Sequence, residues 1–323
     1  MLSHWNVGRG ATSGQTAKDV FFMTLASLKH CGDWAIVAGD FHIQPPTFKK
    51  MVLGFLDILL PLIYGMYVED YAKTESMEKL TLSGNAFAHY PCAHYTTDVT
   101  FQQANMPSGK QAERKRYYSK KHKLHGCKTS LFSERISNSI AQHLKKLPSE
   151  ERLADDGLLH DDYPNDWAVL CDKAYQGLVT VLRAIHPTKK QRGRSLTLAQ
   201  VNENHDISRD RIVVENCFGR LCTLWALCSD KFRWNEDKYD TIFRACVALT
   251  NAHARWSPLR ASDGAAFRAH RKRLMGIGAA REERRKEIQR RSRRNRAIRT
   301  SNSVMTLPAN SGVDDYQDFS TEY

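Results

Sequence analysis

From Thr16 onward the apolar positions Val20, Phe21, Met23, Leu25 and Leu28 recur at helical spacing and predict a first helix ending near His30-Cys31-Gly32. Trp34, Ile36, Val37 and Phe41 predict a short second helix. Ile43-Gln44-Pro45-Pro46-Thr47 reads as a break, because two prolines remove consecutive amide donors, with Thr47 as N-cap of a third helix. The most apolar run, Met51 to Tyr64, predicts a buried helix that ends near Pro61 and is too short to span a bilayer, so no membrane role is expected. Helix, short helix, tight turn and third helix is helix-turn-helix order, with Lys49 and Lys50 where a recognition helix meets DNA. A plain helical bundle packed on the rest of the chain fits the same pattern.

Residues 67–92 are mixed and read as a connection. The period then shortens. Tyr95-Thr96-Thr97-Asp98-Val99-Thr100-Phe101 is β-branched and aromatic, and predicts a strand carrying Asp98. A second strand is expected within 120–132, joined to the first by a polar, basic stretch from Gly109 to Ser119. Trp167 to Cys171 predicts a short buried strand closed by Asp172, and Val181 to His186 another, with one short helix between them. Strand, crossover helix and strand in series implies parallel pairing. Val214, Phe218, Leu221, Trp225 and Cys228 then recur at steps of four, three, four and three, marking the buried face of one helix. Glu215 lies at the boundary of that face, about 100° from the stripe. A second helix carries Tyr239, Ile242, Phe243, Cys246, Leu249 and His253 on one face, with His253 read as a packing residue.

Composition adds a partner. Across 323 residues Lys and Arg outnumber Asp and Glu by 48 to 35, a balance of +13 that favours a polyanion such as DNA or RNA. The excess is concentrated beyond residue 259. Arg284-Arg285-Lys286 and Arg290-Arg291-Ser292-Arg293-Arg294-Asn295-Arg296 read as a nuclear import signal, a phosphate-binding arm or both, and nuclear localisation is the expectation. A solubilising tail, helical or disordered, is the plain alternative. Eight cysteines without a CxxC pair suit a reduced compartment and packing rather than zinc. Asp155, Asp156, Asp161, Asp162 and Asp166 read as a solvated acidic loop.

Asp172 with Lys173-Ala174-Tyr175-Gln176-Gly177, then His186-Pro187-Thr188-Lys189-Lys190, the Arg211 to Leu221 block and Cys246-Val247-Ala248-Leu249-Thr250-Asn251-Ala252-His253 resemble the DDE superfamily endonucleases of Harbinger-type transposons. Tyr118 to Gly126 is similar to the family's segment after its first Asp. The resemblance runs from about Lys18 to Arg260. It implies an α/β, RNase H-like catalytic domain with a small helix-turn-helix-like domain before it and a basic tail behind. The expected layout is a disordered 1–15, a helical domain over 16–66, a linker over 67–92, the nuclease domain over 93–258 and an Arg-rich tail with an acidic end over 259–323. It also implies that Asp98, Asp172 and Glu215 bind Mg²⁺, with Mn²⁺ able to substitute, for attack of water or a DNA 3′-hydroxyl on phosphorus. Lys189, Lys190, Arg192, Arg194, Arg290, Arg291, Arg293 and Arg294 are the expected DNA-backbone contacts. A separate DNA-binding partner protein is implied as well, while the oligomeric state is not.

The chain departs from the family's pattern after Lys128, where a third strand and a small-residue segment with an acid are expected but not found. Three readings compete: an active metal-dependent endonuclease or transposase, a domesticated DNA-binding protein without turnover, and a general RNA-binding basic protein, for which no RRM-like signature is present.

Overall fold

The computed structural model describes residues 5–6, 13–108, 110–130, 141–191 and 193–305. Thr16 opens helix α1 (Ala17–His30) with a capping box: its hydroxyl accepts from the Asp19 amide while the Asp19 carboxylate accepts from the Thr16 amide. Cys31, at φ 47°, turns the chain out of the helix in a left-handed conformation. Asp33 caps α2 (Trp34–Asp40) by accepting from the Ala35 amide. Helix α3 (Pro45–Tyr64) starts earlier than expected, because Pro45 and Pro46 form its first turn and Gln44, not Thr47, is the cap. The first turn has no intrahelical use for those amides, so proline belongs there. Nor does Pro61 end the helix. The chain passes through a π-helical turn at Gly65–Glu69 into α4 (Asp70–Thr74). Prolonged in this way, Pro45–Thr74 is long and apolar enough to cross a membrane by length and composition, which corrects the shorter expectation. Within the fold Phe48, Val52, Phe55, Leu56 and Leu59 of this helix face the protein core.

That core is shared between the two ends of the chain. Residues of α1 to α3 pack with Val214, Phe218 and Leu221 of α8 (Ile212–Leu224) and with Ile242, Phe243 and Cys246 of α10 (Tyr239–Trp256). Trp34 stacks on Trp234 at 4.2 Å, and Lys238 pairs with Asp57 at 2.9 Å. The stretch 67–92, read as a connection, contains α4 and a further helix, α5 (Met77–Leu82).

Two three-stranded sheets follow. β1 (Ala93–Thr96) runs parallel to β5 (Ala168–Leu170), which runs parallel to β6 (Ala184–Ile185). β2 (Val99–Gln103) pairs antiparallel with β4 (Leu124–Ser130), which pairs with the two-residue β3 (Tyr118–Ser119). Thr97 and Asp98 alone separate β1 from β2, so one extended segment serves both sheets. The basic stretch before β3 folds as helix α6 (Gln111–Tyr117). Among the described residues the outer neighbour of β4 is β3, which precedes it in the chain. Residues 131–140, where the missing family strand was sought, lie outside the described residues, as do the acidic end of the chain and most of 1–15.

Helix α7 (Leu198–Asp210) leads through Arg211 into α8. The Val214 stripe is buried as expected but not continuous. Trp225 is extended, and a one-turn helix α9 (Ala226–Ser229) carries Cys228. The last helix, α11 (Ala261–Met305), packs on the fold over its first half, where a basic tail, helical or disordered, was expected. Phe267 stacks on Phe218 at 5.3 Å, and Leu274 joins Phe101 and Leu124 in a small cluster. Gly219 permits the close approach, since a Cβ there would overlap the Asp263 carbonyl. From Glu283 to Thr300 every side chain is exposed.

The acidic loop also differs from its reading. Asp155 is buried against Arg183, which donates to both its oxygens at 2.6 and 2.9 Å and to the Leu158 and Asp166 carbonyls. Lys146 lies 2.6 Å from the same carboxylate. Burial pushes the Asp155 carboxyl up, but hydrogen bonds from Arg183 and Lys146 outweigh it and hold it well below the usual carboxylate range. Asp155→Asn strands a buried guanidinium and should cost about 3–5 kcal/mol at neutral pH. The native contribution is complete above roughly pH 4 and is lost as pH falls below it. Urea midpoints of wild type and variant should therefore converge in acid, and a constant gap from pH 7 to pH 3 would count against this pair.

Candidate functional site

Strand register brings two of the three expected acids together. In the parallel pair Thr96 is opposite Leu170, and the Thr97 amide donates to the Leu170 carbonyl at 2.8 Å. Asp98 and Asp172 each lie two residues beyond that last pair, at the same end of their strands, and a period of two returns both to one side. Asp172 opens the 3₁₀ segment Lys173–Thr180 without spending its side chain on the cap. Asp98 accepts from the Val99 amide through one oxygen, and the other takes part in an ion pair.

Between them stands Arg211. Its guanidinium is 3.3 Å from Asp98 and 3.8 Å from Asp172, and it donates to the Thr97 carbonyl at 3.3 Å. Burial pushes the Asp98 carboxyl up, opposed by the charge of Arg211 and by the Val99 amide. Asp210, the residue before Arg211, is itself buried and accepts from the backbone amides of His89 and Tyr90 and from the His89 ring, each at 2.9 Å. This pins the α7–α8 junction from which Arg211 reaches the strand ends.

Glu215 is placed differently. It lies one helical turn after Arg211 on α8, yet its carboxylate pairs with Arg268 of α11 at 2.9 Å. Among the described residues no group of three or more His, Cys, Asp or Glu side chains is disposed to hold a metal ion. The donor chemistry fits a hard divalent cation at Asp98 and Asp172, two carboxylates already sharing one positive charge. The third carboxylate is turned away.

Residues 96–251 match the family model described as DDE superfamily endonuclease. The matched segment takes in Asp98, Asp172, Arg211 and Glu215 and spans a little under half of the chain. No curated protein and no solved structure matches. The endonuclease-like segment thus contains both strand-end acids and the helix that faces them.

The remaining expected contacts are dispersed. Lys49 and Lys50 are exposed in the first two turns of α3, and Lys189, Lys190 and Arg194 are exposed on the loop after β6. Arg192 lies outside the described residues. Arg290, Arg291, Arg293 and Arg294 are exposed on the unpacked part of α11. His253 accepts from the Arg220 guanidinium at 3.1 Å, in keeping with a packing role. Arg211 and Arg268 were not singled out as site residues, although Arg211 stands four residues before Glu215, a spacing that puts both on one helix face.

Arg211→Ala removes the shared counter-ion of two carboxylates. It should lower stability by about 1–3 kcal/mol at pH 7. Because the unpaired Asp98 then favours its proton still more strongly, the deficit should shrink as pH falls toward 5. Chemical denaturation of the variant at both values checks the sign.

Proposed function

We propose that this protein carries out divalent-metal-dependent phosphodiester chemistry on DNA, as a Harbinger-type transposase-derived nuclease. The observation that carries the reading is the pairing of Asp98 and Asp172 at one end of two parallel strands around a single positive charge. In this reading the sheets combine through Thr97-Asp98 into one RNase H-like layer in the order β3-β4-β2/β1-β5-β6. Asp98 and Asp172 hold Mg²⁺, or Mn²⁺ in its place, and Glu215 completes the ligand set. A divalent ion bound there supplies charge stabilisation at phosphorus and an acidified attacking oxygen. Lys173, exposed beside Asp172, meets a non-bridging phosphate oxygen.

Binding energy comes from elsewhere on the surface. Lys49 and Lys50 of the helix-turn-helix-like α1 to α3, the loop residues Lys189, Lys190 and Arg194, and the exposed arginines 290, 291, 293 and 294 contact phosphates, which gives affinity without sequence information. The basic runs at 284–286 and 290–296 also act as a nuclear import signal, and a separate DNA-binding protein supplies target choice. The pairing of Glu215 with Arg268 favours a second reading, a DNA-binding protein that has lost turnover.

Nicking of supercoiled plasmid separates the two. The nuclease reading expects Mg²⁺-dependent relaxation that Asp172→Asn lowers by at least 100-fold, on the order expected when an essential electrostatic group is removed, with duplex binding unchanged. Binding without nicking in either protein, insensitive to chelator, leaves the second reading. A preference for structured RNA over duplex DNA sinks both.

A further inference from the structure

The three acids differ in what neutralises them. Asp98 and Asp172 share Arg211, whose side chain is largely buried, whereas Glu215 is held by Arg268, whose side chain is about half exposed at 47%. Glu215 lies one turn after Arg211, the residue that caps α8, so its backbone is near the group that joins the two aspartates. The carboxylate itself is paired with Arg268 of α11.

The α11 backbone at this point is not free to leave. Asn216 accepts from the Gly264 amide at 3.0 Å, and Arg220 binds Asp263 at 2.8 Å as well as the Ser257 and Pro258 carbonyls at 2.7 and 2.9 Å. Phe267 is stacked on Phe218, and Gly219 sits directly under the Asp263 carbonyl. Of this contact only the Arg268 side chain can change partner without unpacking the helix. Exposed ion pairs of this kind are weak. A phosphodiester offers a guanidinium the same charge with a matching bidentate geometry. The same helix continues into the exposed arginine run, so a polyanion gathered there lies along the helix that carries Arg268.

We infer that Arg268 is an autoinhibitory contact: it holds Glu215 off the Asp98–Asp172 pair until a DNA phosphate takes the guanidinium and releases the third carboxylate. The inference rests on the nuclease reading and adds its regulation. Metal and DNA then bind with positive coupling, and thermodynamic linkage requires the effect to run both ways. Without DNA the chain has two acids committed to an internal arginine and a third committed elsewhere, which suppresses metal binding in the absence of substrate.

The test is a Mn²⁺ titration of the full chain, with free Mn²⁺ read by electron paramagnetic resonance. It is run with and without a short duplex DNA, against a duplex-only blank. Wild type should bind Mn²⁺ at least about 5-fold more tightly with duplex present, the lower end of ordinary allosteric coupling. Arg268→Gln should reach that affinity without DNA and gain little from it, while Glu215→Gln should stay weak in both conditions. Arg281→Gln, the same charge removed from an exposed position further along the helix, should behave like wild type without DNA. If Asp98→Asn abolishes Mn²⁺ binding but neither duplex nor Arg268→Gln changes it, the latch is wrong and the metal site stands. If wild type and Asp98→Asn are alike under every condition, the latch and the nuclease reading both fall.

Discussion

Parallel pairing of β1 with β5 is the constraint on which the rest of the site depends. Three backbone registers set where Asp98 and Asp172 leave their strands, and both leave at the same end because the strands run the same way. An antiparallel pairing of the same two segments would send the acids to opposite edges. The buried Arg183–Asp155 pair braces the same sheet: Arg183 precedes β6 and ties the loop before β5 to the strand after it. A charge inside the core is expensive to desolvate, so its geometry tolerates little slippage. The alignment of the acids therefore rests on a polar anchor as much as on the apolar strand faces.

Much of this was legible along the chain, and the reason differs from element to element. The strand around Asp98 was visible because its residues are β-branched and aromatic, and the one before Asp172 because a short apolar run ends at an acid followed by a turn. The buried face of α8 was visible because its period is helical and its apolar residues are large. Docking of α11 was not, since Gly264 and Gly278 contribute to the packed face by having no side chain, and hydropathy patterns register only what a side chain adds. The burial of Asp155 was hidden for another reason. Its partner is 28 residues away, and in sequence it is indistinguishable from the exposed acids around it. The proline pair at 45–46 was read as a break when it was a beginning, because proline signals the edge of a helix without saying which edge.

The site residues divide the same way. Sequence pattern located three acids, but which of them meet is decided by two arginines whose reach no periodicity describes. Arg211 sits at the hinge between two helices, one residue outside the helix whose face it shares, and its placement follows from Asp210 gripping the backbone of His89 and Tyr90. Long cationic side chains of this sort act at a distance from their own backbone. Their pairing has to be seen in space.

The shared core has a bearing on whether the matched segment could stand alone. Residues 96–251 contain the acids, yet Phe218 and Leu221 are covered by helices from before that segment and by Phe267 from after it. Excised at those limits, the segment would present the inner faces of α8 and α10 to water and lose the helix that Gly219 was shaped to receive. The matched stretch does not enclose a core of its own. A fragment cut there would need both flanks, or substitutes for Trp34, Phe55 and Phe267 at the same surface, to cover those faces.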